Sequence, residues 1–559
     1  MKTIKIVILA VLIFLSFGQL NAQKSIAPAQ YRGGFIPEQE LLDYNKISTW
    51  IQNTGTFNQD IRTNNTPGFM WPKGTNKFAI FTTGLTIGGY VNGKLRLAAA
   101  SYTGEYRPGT VISVNGIPTP YTDSTFKLYK VSIGDNCTNN PDWADWGLMV
   151  PYGAPYEDIN SNGQYEPCID IPGVIGAGQT IFVCLTDAFP ESHTGLEGFG
   201  GGTAPLNAEM RLTAWSFENS VTGTENTQFV KWQIINKNDI KWDSTRFSIV
   251  CDPDLGDAVD DMVGCDTAGQ LGYCYNADNV DGTGAGYSYG QNPPAVGIKF
   301  LRSVKNKWST DAEHFGMNGF CVFKSVGISC EEDPQSSVHA INLMKNLKRD
   351  GSPWINPLTW DQTKYTFHGN PEASSGWTEF VGTVNNCGGA DTGSIVPSPP
   401  GDKRFVMSTG RDDLTFQPLD TQEIIMTQLI ARGSNNLNSV TKLLAYSDAI
   451  GTTFQNVYID PVSVEQVGSE IPAGYFLSNN YPNPFNPVTK IDYSIPKEYD
   501  VNISVYDMLG NEVAVLYNGI QKTGNYSIKF DGSNLASGIY FLRMKSGSFI
   551  QTRKMVLLK

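Results

Sequence analysis

Oxygen-bearing side chains crowd two short stretches of this sequence. The first runs Asp158-Ile-Asn160-Ser-Asn162-Gly163-Gln164-Tyr-Glu166-Pro-Cys-Ile-Asp170. Oxygens fall at positions 1, 3 and 5, Gly163 follows where the chain must turn sharply, and Gln164 can offer its backbone carbonyl. This is the first half of an EF-hand-type calcium loop, and calcium takes about six to eight oxygens. The second half departs from that pattern, because position 12 is Ile169 and the acid, Asp170, sits at 13. Pro167 and Pro172 disfavour an exiting helix. The expectation is a helix-free structural calcium loop using Asp158, Asn160, Asn162, Gln164, Glu166 and Asp170. The competing reading is an Asx-type turn with no ion.

The second stretch is Asp252-Pro-Asp254-Leu-Gly-Asp257-Ala-Val-Asp260-Asp261, with Asp266 beyond Cys265. Six carboxylates fall within 15 residues with no Lys or Arg among them. Unpaired, they repel one another, so a divalent cation is a natural neutraliser. Three readings stand: a calcium site on Asp252, Asp254, Asp257, Asp260 and Asp261, a solvated acidic loop, or a pair of catalytic carboxylates. Glycoside hydrolysis needs two carboxylates about 5–9 Å apart in a cleft.

Nucleophilic chemistry has less support, and no residue is assigned a catalytic role. The string Gly286-Tyr-Ser288-Tyr-Gly290 matches G-x-S-x-G, but a nucleophile elbow needs a strand before the serine and a helix after it. A Gly-rich stretch precedes it and Asn292-Pro293-Pro294 follows, so it reads as a loop. His193 sits in a polar, Gly-rich segment and reads as a surface loop residue. Gly198 and Gly200–Gly202 lack the Lys-Ser/Thr of a phosphate loop. Trp215, Trp232 and Trp242 lie on or near predicted strands and are expected in the core.

These groups need a scaffold, and 559 residues exceed one ordinary hydrophobic core of roughly 250–300. Charged residues are only 17%, while Gly (57), Phe (28) and Tyr (25) are plentiful, which favours β structure with many turns. A net charge of −13 argues against nucleic acid or an anionic membrane as partner. Apolar alternation predicts strands at 78–82, 85–90, 94–99, 181–185, 209–217, 228–236, 246–251 and 423–430. Asn92-Gly93 is a hairpin turn signal, and Asn115-Gly116 suggests a second. Leu437, Val440, Leu443 and Leu444 predict a helix over 438–450, and Pro37–Ile51 suggests a short one. The fold class is mainly β, multidomain, with a β-sandwich body and an immunoglobulin-like C-terminal β-sandwich.

The first residues read as a signal peptide over 1–22. Lys2 and Lys5 precede an apolar run from Ile6 to Phe17, and cleavage is expected between Ala22 and Gln23. That run is short of the roughly 20 residues of a membrane span, and no later stretch is apolar enough. Nine cysteines in an exported chain are expected to pair, leaving at least one free. Cys265/Cys274 and Cys321/Cys330 suggest local bridges. Zinc is a weak alternative, because no CxxC exists. A β-rich body spans 23–468, expected as two subdomains, then a linker at 469–480 and a module at 481–559.

That module carries YPNPFNPVTKIDYSIP from Tyr481, then VYDMLGNEV, SGIYFLRMKSG and TRKMVLLK. Order and spacing resemble the type A C-terminal sorting domain of the type IX secretion system of Bacteroidetes-like Gram-negative bacteria. The resemblance rests on Tyr481, Pro482, Asn483, Pro484, Phe485, Asn486, Pro487, Gly538, Tyr540, Lys554 and Lys559. It implies recognition by the type IX machinery, removal of the domain, and release of the body or its attachment to surface lipopolysaccharide. The body resembles uncharacterised secreted proteins that carry this domain, which adds no mechanism. The sequence thus points to a secreted or cell-surface protein whose body is a non-enzymatic, calcium-stabilised adhesin, envelope or assembly component. A secreted glycosidase or peptidase, or a glycan-binding protein, is the alternative.

Overall fold

Most of the apolar runs of the body are laid down as strands of two antiparallel sheets in the computed structural model. The structure describes residues 35–558 apart from 63–65, 161, 196–197, 218–222, 283–285, 306–313, 326, 390–392, 455–464, 467–471, 473, 509, 533–534 and 548. The expected leader with its Ala22–Gln23 cleavage site, Lys559 and part of the 469–480 linker lie outside the described residues.

The first sheet runs Gln39–Leu42, Thr49–Gln52, Thr56–Phe57, Thr82–Val91, Asp243–Asp252, Lys403–Gly410, Gly319–Lys324. Lys94–Ala98 folds back on Thr82–Val91. Asn92 and Gly93 make that turn with φ of 50° and 72°, the left-handed pair that matches strand twist in a two-residue hairpin. The second sheet runs Arg107–Pro108, Ala177–Thr186, Ala208–Phe217, Thr227–Asn236, Thr421–Ala431, Ala295–Arg302, Leu271–Asn276, Asp261–Asp266.

Inner-face residues of both sheets, among them Leu85, Ile249, Val406, Leu212, Trp232 and Ile298, share one fully buried core. This main core reaches from Leu42 to Ile430. The second sheet is covered outside as well. The helix Asn436–Phe454 lays Val440 and Leu443 on Tyr273 and Leu429, and Ile450 and Phe454 on Trp215 and Phe229. Trp146 and Met149 cover Phe182 and Cys184 farther along. Burial on both faces explains why these strands read as near-continuous apolar runs. Trp215, Trp232 and Trp242 are all buried in the core regions.

The expected helix at Pro37–Ile51 is instead a strand pair, Gln39–Leu42 on Thr49–Gln52. Asn45 decides this locally. Its Oδ1 accepts from Ile47 N at 3.0 Å, and its Nδ2 donates to Thr227 O at 2.6 Å, which bends the chain into a turn.

The expected local bridges are also not formed. Cys265 lies opposite Gly272 and Cys274 opposite Val263, so the two sit two positions out of step on adjacent strands. Such diagonal neighbours are about 7–8 Å apart, beyond disulfide reach. Cys321 is a buried free thiol, and Cys330 bonds Cys387 instead. The second disulfide joins Cys137 to Cys168. Cys330–Cys387 closes a separation of 57 residues. Replacing both cysteines by serine is expected to cost about 4 kcal/mol, read as a lower urea midpoint under non-reducing conditions.

The C-terminal unit is a second sandwich. One sheet runs Glu465–Gln466, Gly524–Asp531, Val488–Ile495, Phe476–Leu477, and the other Glu512–Gln521, Tyr499–Tyr506, Gly538–Ser546, Phe549–Leu557. Val501, Ile503 and Val505 meet Ile528 and Leu542 in its core, as their alternation predicts. Among the described residues no helix is long and apolar enough to cross a membrane.

Candidate functional site

The strand Asp243–Asp252 delivers Asp252 to the end of the first sheet, and its neighbour Lys403–Gly410 comes from far downstream. Cys251 pairs with Phe405, so Arg404 lies beside Asp252. Arg404 Nε is 3.3 Å from Asp252 Oδ1, Nη2 is 3.0 Å from Asp402 Oδ2, and Nη1 is 3.8 Å from Asp333 Oδ1. Nε also donates to the Tyr102 hydroxyl at 3.0 Å, and that hydroxyl donates to Asp252 Oδ2. One guanidinium thus faces three carboxylates, and Asp254 adds a fourth. One carboxylate oxygen from each of Asp252, Asp254 and Asp402 lies within 4.8 Å of the others. Burial pushes the Asp252 carboxyl up to about 6, although Arg404 opposes it. Burial, with Asp252 and Asp402 alongside, holds Asp254 well above the carboxylate range. At neutral pH the group is short of positive charge, and a proton or a bound cation relieves it.

The acidic run is therefore not one site. Asp252 and Asp254 join Arg404, while the others serve the turn that follows. Asp261 Oδ2 accepts from Leu255 N at 3.0 Å, and Asp260 accepts from Asn276 Nδ2 at 2.7 Å and Gly282 N at 3.0 Å. Asp257 accepts from Val259 N and donates its own N–H to Asp281 Oδ1 at 2.9 Å. Asp281, a carboxylate the sequence did not single out, is pushed up to about 6 by burial. Arg404, Asp402, Asp333 and Tyr102 were also not legible locally, since strand order alone brings them to Asp252.

The stretch from Asp158 to Asp170 closes on itself, with no helix among its described residues. Asp158 accepts from Asn162 N at 3.1 Å and Gly163 N at 2.7 Å. Glu166 Oε2 accepts from Asn160 Nδ2 and Asn162 Nδ2, both at 2.6 Å. Asp170 accepts from Ile159 N at 2.9 Å and Glu166 N at 2.7 Å. Tyr156–Glu157 pairs with Ile171–Pro172 to close the base, and Cys137–Cys168 ties the loop to a neighbouring segment. Asp158, Asn160, Asn162, Glu166 and Asp170 thus form one hydrogen-bonded knot, which serves an Asx-type turn and leaves lone pairs for a cation.

His193 is not a surface residue. Its side chain is 1% exposed, with Nδ1 3.3 Å from Glu105 Oε2 and Nε2 2.8 Å from Asp187 O. Glu105 also accepts from Gly202 N at 2.7 Å and Ala99 N at 3.0 Å, and Asp187 from Leu206 N at 2.7 Å and Ala208 N at 2.6 Å. The imidazole is the centre of a clamp on the backbone at Gly202, Leu206 and Ala208. Burial works against its charge, but Glu105 and Asp187 lift it to about 8. A raised folded value means that this stabilisation is full below about 6.5 and lost as pH rises through 8, about 2 kcal/mol in all. Melting scans are expected to show a fall between pH 6.5 and 8.5 that His193→Gln lacks.

Ser288 lies in no nucleophile elbow. Gly290-Gln291 pairs with Val280-Asp281, and the buried Tyr289 N donates to Asp281 Oδ2.

In the C-terminal sandwich the motif beginning at Tyr481 is a clamp on the last strand. Asn483 Nδ2 donates to Lys554 O at 2.9 Å, and Asn483 Oδ1 accepts from Val556 N at 2.9 Å. Phe485 N donates to Val556 O, Leu558 N donates to Phe485 O, and the Phe485 ring is buried against Phe530. Residues 479–558 match the family of the secretion system C-terminal sorting domain. The C-terminal unit is a type IX sorting domain. The chain that bears this sorting domain is a type IX secretion substrate, delivered to the cell surface or the extracellular space. None of the curated proteins matches the chain. A solved polysaccharide lyase is similar over 85% of this chain and 46% of its own, at 8% identity and a TM-score of 0.17. The chain thus spans about half the length of that protein.

Proposed function

We propose that the exported body is a non-enzymatic surface component, an adhesin, envelope or assembly subunit, stabilised by calcium. The observation that carries this reading is the convergence of the Asp252, Asp254 and Asp402 carboxylates against a single arginine. Calcium takes several carboxylate oxygens and relieves their mutual repulsion without a proton. The self-closed loop at Asp158–Asp170 is a second candidate holder of the same ion. The side chains best suited to acid–base work are already engaged structurally. Asp260 and Asp261 hold backbone and amide N–H groups, and His193 is locked between two carboxylates. After removal of the sorting domain, the body is released or attached to surface lipopolysaccharide.

Negative-stain imaging of the mature body in calcium and then in EDTA tests the role. Ordered assemblies that dissolve in EDTA are expected. Discrete monomers in both conditions would overturn the assembly reading, and a substrate screen would follow.

A further inference from the structure

A cleft of about 410 Å³ opens beside the Asn92-Gly93 turn, a size typical of small-ligand sites. Lys94 and Arg96 line it, two positions apart on one strand and therefore on the same face. Among the described residues neither forms an ion pair. Asp239 is the one carboxylate of the lining, so the two cations leave the cleft with a net positive charge in a chain of net charge −13. Asparagine amides and the exposed Asp239 carboxylate complete the polar lining. Asn92, Asn115 and Asn207 sit at left-handed turn positions with φ of 50°, 52° and 59°, and Asn207 Nδ2 donates to Asn115 Oδ1 at 3.3 Å across the cleft.

The walls are held in advance. Pro190 belongs to the turn that positions His193 between Glu105 and Asp187. Pro205 precedes Leu206, whose N–H bonds Asp187 at 2.7 Å. A preformed wall avoids an ordering cost on binding.

We infer that this cleft binds carboxylate-bearing saccharides. Arg96 and Lys94 take the carboxylate, Arg96 with the planar fork that suits it. The asparagine amides pair with ring hydroxyls as both donors and acceptors, and the proline rings cover C–H faces. A bare inorganic anion would use the two cations and leave the amides idle. The site is independent of the calcium reading, because none of its residues lies in either acidic stretch.

Calorimetric titration of the full chain with trigalacturonate and with trimannuronate tests this, with galactotriose as neutral counterpart and inorganic phosphate as a bare anion. Saturable binding of at least one uronate trisaccharide is expected, with none of galactotriose. Lys94→Gln and Arg96→Gln should each weaken it at least about tenfold with the melting temperature unchanged. Lys94 is exposed, so Lys94→Gln decides alone if Arg96→Gln does not fold. No uronate binding, binding unchanged in Lys94→Gln, or phosphate binding as tight as the uronates would each overturn the inference.

Discussion

Replacing Arg404 by methionine is expected to destabilise the body by about 3–5 kcal/mol, the range for removing one partner of a buried ion pair. The cause is what remains. Asp252 is 4% exposed, and Asp402 and Asp333 also face the guanidinium. Without it, Asp252 has the Tyr102 hydroxyl and more negative neighbours. The loss should be larger at pH 7.5 than at pH 5. Asp252 already has its folded value raised to about 6, so the folded state prefers the protonated form, and that preference is lost as pH rises through 6. Adding Asp252→Asn to Arg404→Met should recover part of the stability, since the stranded charge goes with it. Urea unfolding at both pH values measures each term. Equal midpoints for wild type and Arg404→Met would show that the guanidinium is not what neutralises Asp252.

Phe485→Ala in the sorting domain is expected to cost about 3–5 kcal/mol, as for other buried phenylalanines. That is a large share of the roughly 5–15 kcal/mol that holds a domain of this kind together. The ring fills the space against Phe530, and the adjoining backbone holds the final strand through Val556 and Leu558. Asn483→Ala removes two hydrogen bonds to the same strand and should cost about 1–3 kcal/mol. Hydrogen exchange in the full chain should show lost protection confined mainly to Phe549–Leu557. Export should fall in the same order, Phe485→Ala below Asn483→Ala below wild type. Normal export of Phe485→Ala would mean that the machinery reads the motif without needing the strand it fastens.

The sorting domain was legible in sequence because its signals are local: period-two strands and a motif of fixed order. The body strands were legible for the same reason, as was the Asn436–Phe454 helix from its Val440/Leu443 spacing. What failed was long-range or register-dependent. The short strands at Gln39–Leu42 and Thr49–Gln52 carry too few apolar residues to separate a period of two from 3.6. Cysteines nine residues apart looked ready to pair, yet antiparallel register sets Cys265 against Gly272. The acidic run lacks a local cation, and its arginine arrives at 404 because two distant strands are neighbours. His193 gave no local sign of burial, since Glu105 and Asp187 come from other segments.

The most direct test of the account is the melting temperature of wild type and Asp254→Asn at pH 7.5, in calcium and in EDTA. A cation present at a hundredfold excess over its dissociation constant stabilises a fold by about 2.7 kcal/mol. The account predicts that EDTA lowers the wild-type melting temperature, that added calcium restores it, and that Asp254→Asn responds less than wild type to both. A wild-type melting temperature that is the same in calcium and in EDTA would contradict it.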